Sequence, residues 1–123
     1  MTRKYVQPGE VIDYVNTTGS AIASGAVVVF GHTLGIALVD IANGATGAVQ
    51  ICGVFKEVPK VSAAVFVQGE KLLWDVSAGA FDDSAATPAS GDLMGAAVAA
   101  VAGANGETTC TVLLTPGNAT LTA

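Results

Sequence analysis

The stretch Gly91-Asp92-Leu93-Met94-Gly95-Ala96-Ala97-Val98-Ala99-Ala100-Val101-Ala102-Gly103-Ala104-Asn105-Gly106 decides the fold class, because it is the part of the chain that most resembles a helix. Its alanine-rich window, Ala96 to Ala102, is only seven residues long and is fenced by Gly95 and Gly103. A typical helix needs about 11 residues, and here Ala alternates with Val in short units instead of recurring at three and four residues. The window therefore reads as a strand with small side chains. The rest of the chain follows the same rule. The longest glycine-free interval runs from Val54 to Gln68, and Pro59 cuts it, leaving nine residues from Lys60 onward. With glycine and proline as boundaries, strands are predicted at Val11–Val15, Ala26–Phe30, Leu34–Ile41, Ala48–Phe55, Val61–Val67, Lys71–Val76, Leu93–Val101 and Thr108–Leu114. Eight short strands imply an all-β domain, a small β-sandwich or barrel-like body. Asn43-Gly44 and Asn105-Gly106 each separate two apolar runs and supply the positive φ that tight hairpins require. The polar, small-residue segment Ser77 to Ser90, with Asp82-Asp83 and Pro88, reads as a surface loop.

An approximate internal repeat appears when the two Asn-Gly turns are superposed. Gly31-His-Thr-Leu-Gly35-Ile-Ala-Leu precedes the first and Gly91-Asp-Leu-Met-Gly95-Ala-Ala-Val the second, an offset of sixty. Upstream lie Gly25-Ala-Val-Val-Val-Phe30 and Gly69-Glu-Lys-Leu-Leu-Trp74, and downstream lie two strands bearing Cys52 and Cys110. Two copies are too few for a solenoid, so the repeat implies a pseudo-symmetric domain of two similar sheets. The expected organisation is an extended N-terminal arm with the first strand in residues 1–20, followed by one β domain in 21–123.

Composition bounds the function. The chain has 123 residues, 51% of them hydrophobic and only 12% charged, about half the usual charged fraction. Mean hydropathy is +0.59. Such a chain buries enough surface to fold, and its apolar excess belongs at interfaces with other subunits. The longest weakly polar stretch, Leu93 to Ala104, is shorter than the roughly 20 residues a spanning helix needs, so no membrane partner is expected. The N-terminus has basic residues with no apolar segment after them and does not read as a signal peptide. Net charge is −5, with Arg3, Lys4, Lys56, Lys60 and Lys71 as the only cations. Without a basic cluster, direct contact with nucleic acid is disfavoured.

Catalytic groups are scarce. His32 is the only histidine, has no partner at a motif spacing and reads as a turn residue. No Gly-x-Ser-x-Gly elbow and no Gly-Lys dipeptide occur, which removes the α/β-hydrolase and P-loop mechanisms. Asp82, Asp83 and Asp92 lack the calcium-loop spacing and read as a solvated loop. Cys52 and Cys110 are single and far apart in sequence, which argues against a metal site. They read as structural thiols made in a reducing cytosol, with pairing left open. No cofactor, metal or catalytic residue is assigned.

The signature Lys4-Tyr5-Val6-Gln7-Pro8-Gly9-Glu10-Val11 is followed in order by Ser24-Gly25, Leu34-Gly35-Ile36-Ala37, Gly53-Val54-Phe55, Pro59-Lys60, Gly69-Glu70, Leu73-Trp74-Asp75 and Gly95-Ala96-Ala97. In their order and spacing these segments make the chain resemble a family of small tailed-bacteriophage capsid decoration, or cement, proteins. That resemblance implies an all-β domain with a projecting N-terminal arm, homotrimers on the outer face of an icosahedral head, and no enzymatic activity. The chain departs from the family's pattern at Ala26 and Glu70, where Asp is usual, and at Leu73, where an aromatic is usual. The tail, residues 115–123, extends past the family's usual final strand and has no assigned role.

The expected function is a structural virion protein that stabilises a bacteriophage capsid by binding as a trimer between coat-protein subunits. Arg3, Lys4, Tyr5, Val6, Gln7 and Pro8 are the candidate capsid contacts, an arm able to add to a coat-protein sheet edge. Phe55 and Trp74 are candidate core or trimer anchors. The partners are the major capsid protein and the protein's own copies, and the location is the outer capsid surface after synthesis in the host cytoplasm. A rival reading is a carbohydrate-binding β-sandwich module of a phage fibre or adhesin.

Overall fold

The computed structural model describes residues 10–123. Ten short strands make two antiparallel sheets: β1 (Val11–Val15), β2 (Val27–Phe30), β3 (Thr33–Ala37), β4 (Thr46–Gln50), β5 (Gly53–Pro59), β6 (Lys71–Asp75), β7 (Ala80–Asp82), β8 (Leu93–Ala99), β9 (Thr109–Leu114) and β10 (Thr120–Leu121). No helix occurs among the described residues, and the Ala96–Ala102 window lies mostly in β8, as its fencing glycines require. The first sheet has the order β1-β4-β3-β2, the second β5-β9-β8-β6-β7, with β10 pairing β8 as a continuation of β9.

The repeat is real, and it is a repeat of topology. Removing β7 from the second sheet leaves β5-β9-β8-β6, which has the same connectivity as β1-β4-β3-β2. Several loop bonds recur at equivalent positions. Ile22 bridges Ile41 as Phe66 bridges Gly103. The Gly25 N–H donates to the Ala37 carbonyl as Gly69 donates to Ala99, and Ala45 donates to Ala42 as Glu107 donates to Ala104. Gly44 and Gly106, the Asn-Gly glycines, have φ of 82° and 97°.

Register explains why one offset describes the repeat incompletely. Val29 pairs Leu34 and Leu73 pairs Met94, so Leu34 corresponds to Met94, sixty residues on. Val27 pairs Ile36 and Lys71 pairs Val98, so the offset there has grown to 62. The extra residues sit in a bulge at Gly95 and Ala96. Gly95 has φ 91° and lies 2.7 Å, measured from its would-be Cβ, from the Asn118 carbonyl oxygen. Only glycine combines that φ with that approach.

Several predicted boundaries are corrected. The run Ala48–Phe55 is two strands in two sheets, because the chain leaves β4 after Gln50 and starts β5 at Gly53. The run Leu34–Ile41 ends as a strand at Ala37, and Leu38 and Val39 are exposed. Val61–Val67 is no strand. It is a loop held by the Phe66–Gly103 bridge and by bonds from the Val61 N–H to the Phe81 carbonyl and from the Gly106 N–H to the Ser62 carbonyl, and its apolar alternation reflects Ala64 and Phe66 pointing into the core between exposed Val65 and Val67. The predicted loop Ser77 to Ser90 contains β7, held by pairing to β6, and the tail contains β10.

The main core lies between the two sheets. Leu72, Trp74, Ala97, Ala99, Cys110, Val112 and Leu114 face it from the second sheet, and Leu34 and Ile36 enter from the first. The second sheet curls, with Lys60 bridging Phe81 in parallel. The small residues Ala96, Ala97 and Ala99 leave room on its inner face for the larger side chains of β3. Trp74 packs edge-on against Phe81 with centroids 4.9 Å apart, a geometry that contributes about 0.5–1.5 kcal/mol beyond burial. A smaller cluster, Val28, Ala37, Ile41 and Val49, lies on the opposite face of the first sheet, with Tyr14 and Phe30 packed beside it.

Candidate functional site

The arm residues Arg3, Lys4, Tyr5, Val6, Gln7 and Pro8 lie outside the described residues. Trp74 is buried in the main core, and Phe55 is half-buried against it. His32 is exposed in the β2–β3 turn, apart from both cores. Among the described residues no group of three or more His, Cys, Asp or Glu side chains is placed to hold a metal ion, and no helix is long and apolar enough to cross a membrane.

Three buried polar residues shape the loops, and sequence reading alone did not single them out for this. Asn16 is fully buried. Its Nδ2 donates to the Ser20 and Ile41 carbonyls at 2.7 and 3.0 Å, while its Oδ1 accepts from the Thr18 N–H and hydroxyl. Lys60, at the equivalent place after β5, is 4% exposed. Its ammonium donates to the Val61, Ala104 and Glu107 carbonyls at 3.0, 3.0 and 3.3 Å, and lies 5.3 Å from the Phe66 ring centroid. Backbone carbonyls and a ring face supply the partial negative charge that a desolvated cation needs. Each residue ties the segment after its strand to the neighbouring Asn-Gly hairpin.

Asp92 corrects an expectation, because it is 2% exposed and not part of a solvated loop. Its carboxylate accepts the Val76 N–H at 3.1 Å and the Ala89 N–H at 2.8 Å, fastening the long β7–β8 connection. Glu70 holds the same connection from outside, accepting the Ser84 N–H and hydroxyl and the Val67 N–H. Those donors hold its carboxyl below the usual range. Sequence offered one signal for these roles: an isolated polar residue beside an apolar strand end, as in Val15-Asn16 and Pro59-Lys60.

Both cysteines are free, so the pairing left open by the sequence is absent. Burial pushes the Cys110 thiol up to about 11, against a smaller opposing pull from the Lys60 charge. It stays protonated and inert near neutral pH. A cleft of about 270 Å³ opens over β5 and β9, lined by Lys56, Glu57, Val101, Glu107, Thr109 and Thr111 among others. Glu57 has a φ of 59° in the bulge between Phe55 and Val58. The cleft's lining has no histidine, and its one thiol, Cys110, is protonated near neutral pH.

What remains is surface. Ten large hydrophobic side chains among the described residues are exposed, including Val54, Val67 and Val101. Of these, Val54 and Leu113 are direct cross-strand partners on β5 and β9. Compared with known families, the chain matches the phage cement protein family over residues 6–114. The chain belongs to the phage cement protein family. The match reaches from Val6 to Leu114, the last residue of β9, so both halves of the repeat are part of the family's domain. Membership gives this cement-family chain a structural, capsid-associated role in the phage virion. No curated protein and no solved structure matches it.

Proposed function

We propose that this protein decorates and stabilises the outer surface of a bacteriophage icosahedral capsid, binding as a homotrimer between major capsid protein subunits after synthesis in the host cytoplasm. The observation that carries this reading is the family match over residues 6–114. The exposed apolar side chains support it, because a lattice protein must bury surface against both its own copies and the shell. Arg3, Lys4, Tyr5, Val6, Gln7 and Pro8 make the capsid contact, adding as an extended segment to a coat-protein sheet edge. The protein acts through contact and not catalysis. In support, its one histidine is exposed and the Cys110 thiol is protonated near neutral pH.

Co-sedimentation with purified, undecorated heads tests the reading. Full-length protein pellets with the heads. A variant lacking Thr2 to Gly9 keeps the oligomeric mass of the full chain and stays in the supernatant. Undiminished binding by the truncated protein overturns the arm's role, and failure of the full chain to bind overturns the capsid role.

A further inference from the structure

The two halves of the chain are built alike but are not placed alike. In each half one sheet face is inner, covered by its own loop residue, Ile22 or Phe66, and the other face is outer. The inner face of the second half carries Leu72, Val112 and Leu114. Against it lies the outer face of the first half, Val27, Val29, Leu34 and Ile36. An outer face is therefore seated on an inner face, head to tail, and among the described residues one face of each kind has no sheet packed on it.

The unused outer face belongs to the second half. There Val54, Leu113 and Val98 form a cross-strand row, with Val54 61% and Leu113 38% exposed. By register Val98 corresponds to Ile36, which is buried in the internal contact. The unused inner face belongs to the first half. Ile12, Tyr14, Phe30 and Ile51 are half-buried there around Val28 and Val49. Ile12, Phe30 and Ile51 correspond to Phe55, Trp74 and Leu114, which in the second half line the main core.

We propose that a second copy of the chain continues this stacking: the Val54–Leu113–Val98 row of one molecule seats on the Ile12–Tyr14–Phe30–Ile51 face of the next. The contact is heterologous, and in a closed assembly it makes a ring. The inference rests on the reading of the protein as a self-associating capsid component and names the faces that meet. Charge favours the same pairing. Lys71 pairs Val98, and Lys56 lies two residues from Val54 on the same face of β5, so cations flank the row. Residues 10–52 carry no Lys or Arg, and on the Ile12–Tyr14 face the alternating carboxylate is Glu10, Asp13 pointing to the other side. Row against row would oppose lysine to lysine, whereas row against this face opposes lysine to the Glu10 carboxylate.

The test uses two variants and their mixture, followed by sedimentation velocity at micromolar concentration. Leu113→Asp damages the outer face and Ile12→Glu the inner one; Thr33→Glu, on the same face as Phe30, is a milder second inner-face variant. Thermal unfolding by circular dichroism confirms that each is folded. Each variant alone sediments as a monomer, with association weakened at least tenfold. An equimolar mixture of Leu113→Asp with either inner-face variant restores a two-chain species, because one intact pair of faces remains. A mixture of folded variants that stays monomeric overturns the head-to-tail pairing. If the first-half face is covered instead by the protein's own first residues or by coat protein, both inner-face variants keep the wild-type mass and the proposal fails, while self-association stands. A monomeric wild type removes self-association itself.

Discussion

The Lys60 ammonium donates to the Ala104 carbonyl at 3.0 Å, joining positions 44 residues apart. The bond fixes the loop after β5 to the hairpin between β8 and β9, and the same ammonium binds Val61 and Glu107. Lys60→Met keeps the buried stem and removes the donor, leaving those carbonyls unpaired. Unpaired buried acceptors cost about 1–3 kcal/mol, so a loss of about 2 kcal/mol is expected in urea unfolding at neutral pH. An unchanged midpoint with an unchanged slope would show that water replaces the ammonium.

Asn16 performs the matching task in the first half with a neutral amide. Asn16→Ala removes both donors, to Ser20 and Ile41, and the acceptor for Thr18. The expected loss is about 1–3 kcal/mol. Amide exchange should quicken at Ile22 and Ile41, whose mutual bridge depends on this loop. Asn16→Asp should fare no better, because a carboxylate cannot donate to the two carbonyls. Wild-type stability in either variant counts against the role given to the side chain.

Gly35 lies where β3 crosses the small core of the first sheet. A methyl group there would run into the Val49 side chain and sit 2.9 Å from the Gln50 carbonyl oxygen. Val49 is fully buried and has no room to retreat. Gly35→Ala should therefore destabilise by about 1–3 kcal/mol, despite its favourable effect on the unfolded chain. Thermal unfolding measures this, and a raised melting temperature would show that β3 and β4 can separate without cost.

The Cys110 thiol titrates at about 11 in the folded chain, against an ordinary 9.0, chiefly because of burial. A folded pKa above the unfolded one means that the stabilisation is fully present below pH 9 and is lost as pH rises through 11. Lys60 and Glu107 face the same thiol. Cys110→Ala removes the titrating group and should flatten the fall in stability between pH 9 and 11. In native protein at neutral pH, iodoacetamide should modify half-buried Cys52 well before buried Cys110. An equal pH slope in Cys110→Ala would show that the thiol contributes nothing to the fall.

Much of the fold was legible in the chain because glycine spacing limits element length locally. No interval long enough for a helix exists, so Ala96–Ala102 had to be β. The repeat was legible because equal loops need equal turn residues, as at Gly25 and Gly69 or Gly44 and Gly106. Strand limits were less so. Val61–Val67 alternates like a strand, yet only Phe66 finds a bridging partner. The three residues of β7 are a strand only because β6 has an edge to offer. Asp92 read as part of a solvated loop and Lys60 only as one of five scattered cations, since nothing local reveals the amides or carbonyls that converge on them from distant segments.

The sequence by itself determined the all-β class, the two Asn-Gly turns and the paired halves. These depend on φ preferences and short-range periodicity, which each segment carries with it. Tertiary structure alone decided that the halves stack outer face on inner face, that Cys52 and Cys110 stay free, and that Asn16, Lys60 and Asp92 lie inside. Strand alternation sorts Leu34 and Ile36 from Gly35 and Ala37, but it is blind to what lies above either face. That choice is made by the fit of large side chains from β3 against the small ones of β8, a contact between segments some sixty residues apart.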